Sequence, residues 1–114
     1  ININPTWAEK NRPSVVKFIK AHIQALRWLH DNPAEGAEFL TKEFGLQAVY
    51  ARRGIDYYTK NKVYPYNGDV TLAGMKVNID VQVQDGIIKG AVPPPEKYLD
   101  LSYLRLAQKE LGIQ

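Results

Sequence analysis

Two histidines carry the only imidazole groups that this chain offers for chemistry. His22 and His30 are eight residues apart, which is just over two turns of a helix, so they are too far apart to bind one metal ion together. Nucleophilic catalysis needs a base beside the nucleophile, and one helix carrying both histidines does not provide that pairing. We therefore expect structural roles for both, with His30 near a helix C-terminus, where the helix dipole favours an imidazolium.

Motifs for other chemistries are also missing from the sequence. The glycines occur singly, and there is no Walker or dinucleotide-binding fingerprint. Glu35, Glu38 and Glu43 fit the solvated face of one amphipathic helix. The absence of cysteine removes disulfides, thiolate metal sites and cysteine nucleophiles. These residues provide no basis for an enzyme, and we expect neither a metal nor a cofactor.

Residues 34–60 have the spacing of a helix-turn-helix. A helix, a turn at Gly45 and a second helix would direct Arg52 and Arg53 towards DNA phosphates. The second helix is rich in tyrosine and poor in asparagine and serine, however, and a plain αα-hairpin satisfies the same spacing. A free-standing helical module that binds protein or DNA through this hairpin is the alternative function, although we do not favour nucleic acid as the partner.

Seven tyrosines are many for a chain of 114 residues. Tyr64 and Tyr66 flank a proline in a loop, where aromatic side chains can line a ligand cleft. Such side chains more often cover the edge of a core with the hydroxyl group in water, and we favour that interpretation.

The spacing of apolar residues predicts a mainly helical chain with about five helices. Pro13 suits the first turn of a long helix. Asn32 and Pro33 suit the N-cap and first position of the next helix, which should end at Gly45. The predicted elements are a short N-terminal strand at 1–4, a helical region at 13–61, an ambiguous segment at 71–88, and a C-terminal segment at 92–112.

The segment at 71–88 fits two structures. Apolar and polar residues alternate from Met75 to Val83, which is a strand pattern, and Asp85-Gly86 suits a hairpin turn. A helical stripe that begins after Thr71 as N-cap fits as well. Because β-branched residues favour strands, the sequence by itself slightly favours a strand or hairpin.

The segment at 92–112 begins with three consecutive prolines. Proline fixes φ near about −65° and lacks an N–H donor, so these residues predict a stiff polyproline-type strap. Asp100 is a good N-cap for a closing helix to about Leu111, and Gly112 suits the position after the helix.

Composition and charge are those of one ordinary folded domain. The chain is 45% hydrophobic and 24% charged, and its net charge of +3 comes from scattered basic residues. No apolar run approaches the ~18 residues that a membrane span needs. Because the sequence starts at Ile1 with neither an initiator methionine nor a leader, we expect a mature piece or an internal fragment.

Three segments, taken together, resemble one protein family. They are residues 7–28, the run Asp31-Asn32-Pro33-Ala34-Glu35-Gly36-Ala37, and residues 90–104 with the three prolines. Over essentially all of its length the chain looks like the C-terminal part of a substrate-binding protein of a bacterial ABC importer. The most similar group is the nitrate, sulfonate, taurine and thiamine-pyrimidine-precursor type.

The resemblance implies a fragment of a two-lobed α/β fold, whose lobes close on a ligand and are then recognised by a membrane permease. Residues 1–4 would be the strand that returns from the hinge, and 71–88 would be a helix, which we adopt over the strand. Asn4, Thr6 and Trp7 follow that strand and are the positions expected nearest the ligand cleft.

The same resemblance implies a periplasmic or lipid-anchored protein that captures a small organic or anionic solute without chemical change. The first lobe's opening strands and the whole second lobe have no counterpart in these residues. We therefore expect the apolar faces of the chain to contact the remainder of the binding protein or a second copy of the chain.

Overall fold

The computed structural model describes residues 2–113, and the regular structure within them is helical. The helices are α1 (Pro5–Lys10), α2 (Arg12–Asp31), α3 (Pro33–Phe44), α4 (Ala48–Lys60), α5 (Leu72–Gln84) and α6 (Ser102–Glu110), with a 3-10 turn at Pro95–Tyr98. No strand is present among residues 2–113. The prediction of a mainly helical chain is confirmed.

The strand expected at 1–4 does not form in the part of it that the structure describes. Residues 2–4 have no regular secondary structure, and Ile1 lies outside the described residues. A strand needs a neighbouring strand to pair its backbone groups, and residues 2–113 contain none. Asn4 keeps an extended backbone, but its side chain accepts a hydrogen bond from the backbone N–H of Trp7 (3.0 Å) and so caps α1.

Proline and glycine set the ends of α3 where the sequence predicts them. Pro33 is the first residue of α3, and Gly45 ends it in the left-handed conformation (φ 67°). The cap at the start differs from the expectation, because the Asn32 side chain donates a hydrogen bond back to the carbonyl oxygen of Trp28 (2.9 Å). Asn32 therefore closes α2 and leaves the N-terminus of α3 without a side-chain cap.

Within 71–88 the helix that we adopted from the resemblance forms as α5, and not the strand that the alternating residues slightly favour. The Thr71 hydroxyl accepts a hydrogen bond from the backbone N–H of Gly74 (3.0 Å), which caps the first turn. A helix satisfies its own backbone donors and acceptors, whereas a strand here would need a partner strand. Apolar residues spaced two apart then lie on opposite sides of α5.

Two small clusters of buried side chains form the core. The first joins α1, α2 and α6, and consists of Ala8, Val15, Val16, Ile23, Tyr103, Leu104 and Ala107. The second joins α3 and α4 through Ala37, Ala51 and Ile55, with Leu29 and Leu40 packed against it. Because Leu29 belongs to α2, that long helix contacts both clusters and links them.

The C-terminal segment follows the prediction in part. Pro94 has polyproline geometry (φ −62°, ψ 148°), but the chain then turns through the 3-10 segment at Pro95–Tyr98. Leu101, not Asp100, is the residue immediately before α6. The Asp100 carboxylate still accepts a hydrogen bond from the backbone N–H of Ser102 (2.9 Å). That bond and one from the Ser102 side chain hold the pKa of Asp100 below its usual value.

Candidate functional site

The three positions expected near a cleft lie together on the first turn of α1. Asn4, Thr6 and Trp7 are all exposed, and Ala8, the next residue, is buried against the first core cluster. The side-chain oxygen of Asn4 is used in capping, because it accepts the hydrogen bond from Trp7. Trp7 is 51% exposed and Thr6 is also exposed, so this turn forms part of the surface.

The two histidines differ in their surroundings, and His30 has the structural role that the sequence predicts. His22 is exposed on α2. His30, in the last turn of α2, donates a hydrogen bond from Nε2 to the carbonyl oxygen of Tyr64 and packs edge to face against the Tyr66 ring (5.4 Å between centroids). His30 thus fastens a loop to the end of α2.

That loop, residues 61–71, is held by a polar network that the sequence does not reveal. Arg27 donates two hydrogen bonds to the side-chain oxygen of Asn67 (2.8 and 3.1 Å). The hydroxyl of Tyr66 donates to the carboxylate of Asp31 (3.1 Å), and this bond raises the pKa of Tyr66. Tyr64 stacks on Tyr58 of α4 (4.9 Å between centroids). Tyr64 and Tyr66 therefore contact helices rather than lining a cavity.

Gln108 of α6 completes the network and is the one buried polar side chain among the described residues. Its amide nitrogen donates to the backbone carbonyl of Asn67 (2.9 Å) and to the Asp69 carboxylate (3.1 Å). Its oxygen accepts from Arg105 (2.8 Å). Nothing in the residue types around Gln108 distinguishes it from an exposed glutamine, so sequence reasoning missed it.

Two open cavities, each of about 350 Å³, lie away from α1. The first separates α5 from the proline segment and is lined by Ile79, Val83, Val92 and two prolines, with the ion pair of Lys76 and Asp80 (2.7 Å) at its edge. The second lies between α3 and α4. Neither cavity includes Asn4, Thr6 or Trp7.

One side of α5 is covered and the other is not. Ile79 is buried beneath the proline segment, whereas Val77 and Val81, on the opposite side, are 62% and 48% exposed. Among the described elements, α5 contacts only the 3-10 turn at Pro95–Tyr98. We call the exposed valines Val77 and Val81 the outer face of α5.

The hairpin of α3 and α4 occupies the residues that have helix-turn-helix spacing. Its two helices pack against each other, and a Cβ atom added at Gly36 of α3 would lie 3.9 Å from Ile55 of α4. This is the geometry of an αα-hairpin. Arg52 forms an ion pair with Asp56 within α4 (3.2 Å), and Arg53 is exposed.

Among residues 2–113, histidine and carboxylate side chains nowhere form a group of three that is suited to a metal ion. None of the described helices combines the length and apolarity that crossing a membrane requires.

Comparisons with known proteins provide no relative from which a function can be transferred. No protein-family model matches the sequence, and neither a curated protein nor a solved structure matches it.

Proposed function

We propose that the chain is the C-terminal part of the solute-binding protein of a bacterial ABC importer, and so a piece of a two-lobed α/β fold. The observation that carries this proposal is the uncovered state of α5. A 13-residue helix with apolar side chains on opposite sides is only marginally stable in water when it packs on nothing but a short 3-10 turn. The outer face of α5 therefore needs a cover, and in the proposed parent the sheet of the first lobe provides it.

In this proposal the protein binds a small organic or anionic solute in the cleft between two lobes and changes no covalent bond. No cofactor is needed, and a membrane permease recognises the closed form. Asn4, Thr6 and Trp7 lie on the cleft side, where an indole and a hydroxyl group can stack on the solute and hydrogen-bond to it. The protein is periplasmic or lipid-anchored.

The first test is the identity of the natural gene product. An antibody raised against this chain should detect, in an extracytoplasmic fraction, a product much heavier than 12.9 kDa. Hydrogen exchange of the α5 amides should be slower in that product than in the 114-residue chain, because the outer face is covered there. A complete product of about 12.9 kDa in the cytoplasm would contradict the proposal.

The second test concerns the ligand. The heavier product should gain thermal stability with one of the small solutes that the family type suggests, such as a sulfonate, nitrate or a pyrimidine. Trp7→Ala should then weaken binding by up to about tenfold, since one aromatic contact is lost. Trp28→Ala is the matched control, because Trp28 is similarly exposed (47% against 51%) but lies on α2. Equal weakening by both variants would remove Trp7 from the site.

The alternative, a free-standing module that binds protein or DNA through residues 34–60, is favoured by the exposed Arg53 and weakened by the pairing of Arg52 with Asp56. Binding to DNA phosphates releases counterions, so it must weaken steeply with salt. Retention on a duplex-DNA column at low salt that is lost at high salt would support this alternative. Absence of retention at low salt would exclude its DNA-binding form.

A further inference from the structure

One asparagine of the chain is followed by glycine, and this pair, Asn67-Gly68, lies in the loop at 61–71. In such a pair the backbone nitrogen of the second residue can reach the side-chain amide carbon of the first. Glycine has no side chain to hinder that approach, and its backbone adopts the conformations that the approach needs. Every other asparagine precedes either proline, which lacks a backbone N–H, or a residue with a larger side chain. Asn67 is therefore the asparagine most reactive towards its own backbone.

The fold requires the glycine of this pair. Gly68 has a positive φ of 72°, which residues with a side chain rarely adopt. A Cβ atom added at Gly68 would lie 3.1 Å from Ile23 and 3.8 Å from Leu104. Both of these side chains are buried in the first core cluster. The glycine that lets the loop approach the core is thus the same residue that makes Asn67 reactive.

In the folded chain, hydrogen bonds restrain both of the groups that would react. Oδ1 of Asn67 accepts two hydrogen bonds from the Arg27 guanidinium (2.8 and 3.1 Å). The Gly68 N–H donates to the carbonyl oxygen of Pro65 (2.9 Å), which closes a turn. The Asn67 carbonyl oxygen accepts from Gln108 (2.9 Å). Attack requires the Gly68 nitrogen to lose its proton and to meet the side-chain carbon, so the closed turn and the fixed side chain both oppose the reaction.

We propose that Asn67 is a site of spontaneous deamidation and that the reaction requires the loop at 61–71 to open. In the open loop the Gly68 nitrogen loses its proton and forms a bond to Cγ of Asn67. The bond between Cγ and the side-chain nitrogen breaks, and ammonia leaves with a proton from the solvent, which yields a succinimide ring. Water then opens the ring at one of its two carbonyl carbons. One water molecule is consumed, one ammonia is released, and nothing is oxidised or reduced.

The two products of ring opening have different consequences for the fold. Aspartate keeps the ordinary backbone and offers carboxylate oxygens to Arg27. Isoaspartate routes the main chain through the side-chain carbons, which adds one backbone carbon inside the turn that Gly68 and Pro65 close. Because close packing tolerates little displacement, the added carbon moves Gly68 away from Ile23. Isoaspartate formation therefore releases the loop irreversibly, whether or not the chain has the proposed solute-binding function.

The first test measures deamidation of the 114-residue chain in neutral buffer and in guanidinium chloride at the same pH. After protease digestion, mass spectrometry follows the conversion of the Asn67 amide to a carboxylate over time. Conversion should be at least about tenfold slower in buffer, because only the open loop reacts there. Asn61, an exposed asparagine that precedes Lys62, is the internal control and should stay an amide over the same period.

The second test weakens the fastening of the loop. Arg27→Gln removes both hydrogen bonds to Oδ1 and should raise the deamidation rate in buffer by about fivefold, with no effect in guanidinium chloride. Lys17→Gln removes the same charge from an exposed position on the same helix and should leave both rates unchanged. If circular dichroism shows that Arg27→Gln is partly unfolded, Tyr66→Phe replaces it. That change removes only the bond to Asp31 (3.1 Å) and should raise the rate by about twofold.

The third test compares the two products. Ion exchange separates the deamidated chain by its added charge, and electron-transfer fragmentation distinguishes isoaspartate from aspartate. The Gly68 amide should exchange its hydrogen at least about tenfold faster in the isoaspartate form than in the wild type. Asn67→Asp, which has the composition of the aspartate product, should exchange like the wild type.

Three results would overturn the proposal. Equal deamidation rates in buffer and in guanidinium chloride would show that the fold does not restrain Asn67. Equal rates in buffer for Arg27→Gln and Lys17→Gln, with Tyr66→Phe also unchanged, would show that the loop's fastening does not control the reaction. An isoaspartate form whose Gly68 amide exchanges as slowly as in the wild type would show that the modification does not release the loop.

Discussion

At the scale of single residues, polar side chains fasten the loop at 61–71 to the helices. Arg27, His30 and Asp31, in the last turns of α2, each bond to this loop, and Gln108 bonds to it from α6. Gly68 of the loop (φ 72°) also lies close to the core, since an added Cβ would come within 3.1 Å of the buried Ile23. Gln108 matters most, because it is buried and both hydrogen bonds that its amide nitrogen donates depend on the loop staying in place.

Gln108→Leu should lower the free energy of unfolding by about 1–3 kcal/mol. Leucine has a similar volume but leaves the carbonyl oxygen of Asn67 without its donor in a half-buried position. Urea unfolding with an unchanged m-value measures the difference. Gln24→Leu, at an exposed position on α2, should change stability by less than about 0.5 kcal/mol. Equal effects of the two changes would contradict the role given to Gln108.

Asp100→Ala should lower the free energy of unfolding by about 1 kcal/mol at pH 7, since it removes the acceptor for the Ser102 backbone N–H. The pKa of Asp100 is lowered by folding. Its stabilising effect is therefore complete above the unfolded-state pKa, near about 4, and is lost as the pH falls through the lower folded-state pKa.

The difference between wild type and Asp100→Ala should accordingly shrink between pH 5 and pH 2, as measured by urea unfolding across that range. Glu9→Ala, which removes an exposed carboxylate from α1, serves as the control and should cost less than about 0.5 kcal/mol at pH 7. A difference for Asp100→Ala that grows on acidification would show that the carboxylate does not act through its charged form.

At the scale of elements, α5 is the least supported part of the chain. Helices α2 and α6 pack on each other, as do α3 and α4, but α5 contacts only the 3-10 turn. Its first turn depends on the Thr71 cap, because little tertiary packing stabilises it. We expect α5 to open locally without unfolding the two core clusters.

Thr71→Ala should therefore raise the hydrogen-exchange rates of the α5 amides by about fivefold, which corresponds to the ~1 kcal/mol of a lost cap. Amides in the middle of α2 should be unaffected. Ser14→Ala, an exposed hydroxyl in the first turn of α2, is the matched change and should not alter exchange in α5. Faster exchange in both α2 and α5 after Thr71→Ala would mean that the two helices unfold together.

At the scale of the whole molecule, too little of the apolar surface is covered. Ile23 is the only large side chain among the described residues that is fully buried, whereas many large apolar residues are exposed. The described chain is also extended, with dimensions of 45 × 36 × 24 Å. A soluble domain rarely leaves so much apolar surface in water, so this surface should bind either the rest of a larger protein or another copy.

In isolation the chain should self-associate, and light scattering should report a mass above 12.9 kDa that rises with protein concentration. The double variant Val77→Asp, Val81→Asp places two charges on the outer face of α5 and should shift the mass towards the monomer. Asn78→Asp with Gln82→Glu adds the same charge at the same spacing on a neighbouring side of α5, and should not. A wild-type chain that stays monomeric at its highest soluble concentration would contradict this prediction.

From the sequence, only residues that are neighbours along the chain could be predicted to lie together. Asn4, Thr6 and Trp7 are close in sequence and so share one helical turn. The loop partners of Gln108, Asn67 and Asp69, by contrast, lie 41 and 39 residues away in the sequence. Glutamine suits both a solvated helix face and a buried hydrogen-bond site, and the residue type does not distinguish them.

The sequence by itself determined the helical class and both ends of α3, because a proline at a first turn and a glycine after a last turn act through their own backbone geometry. Pro33 and Gly45 bound α3 for that reason. At 71–88 alternating apolar residues fit both helix and strand, and the helix implied by the resemblance is the one that forms. The described residues offer no neighbouring strand to pair with, so the backbone satisfies its hydrogen bonds within α5. Only the tertiary structure decided which apolar faces stay uncovered, since burial depends on what lies opposite a side chain in space.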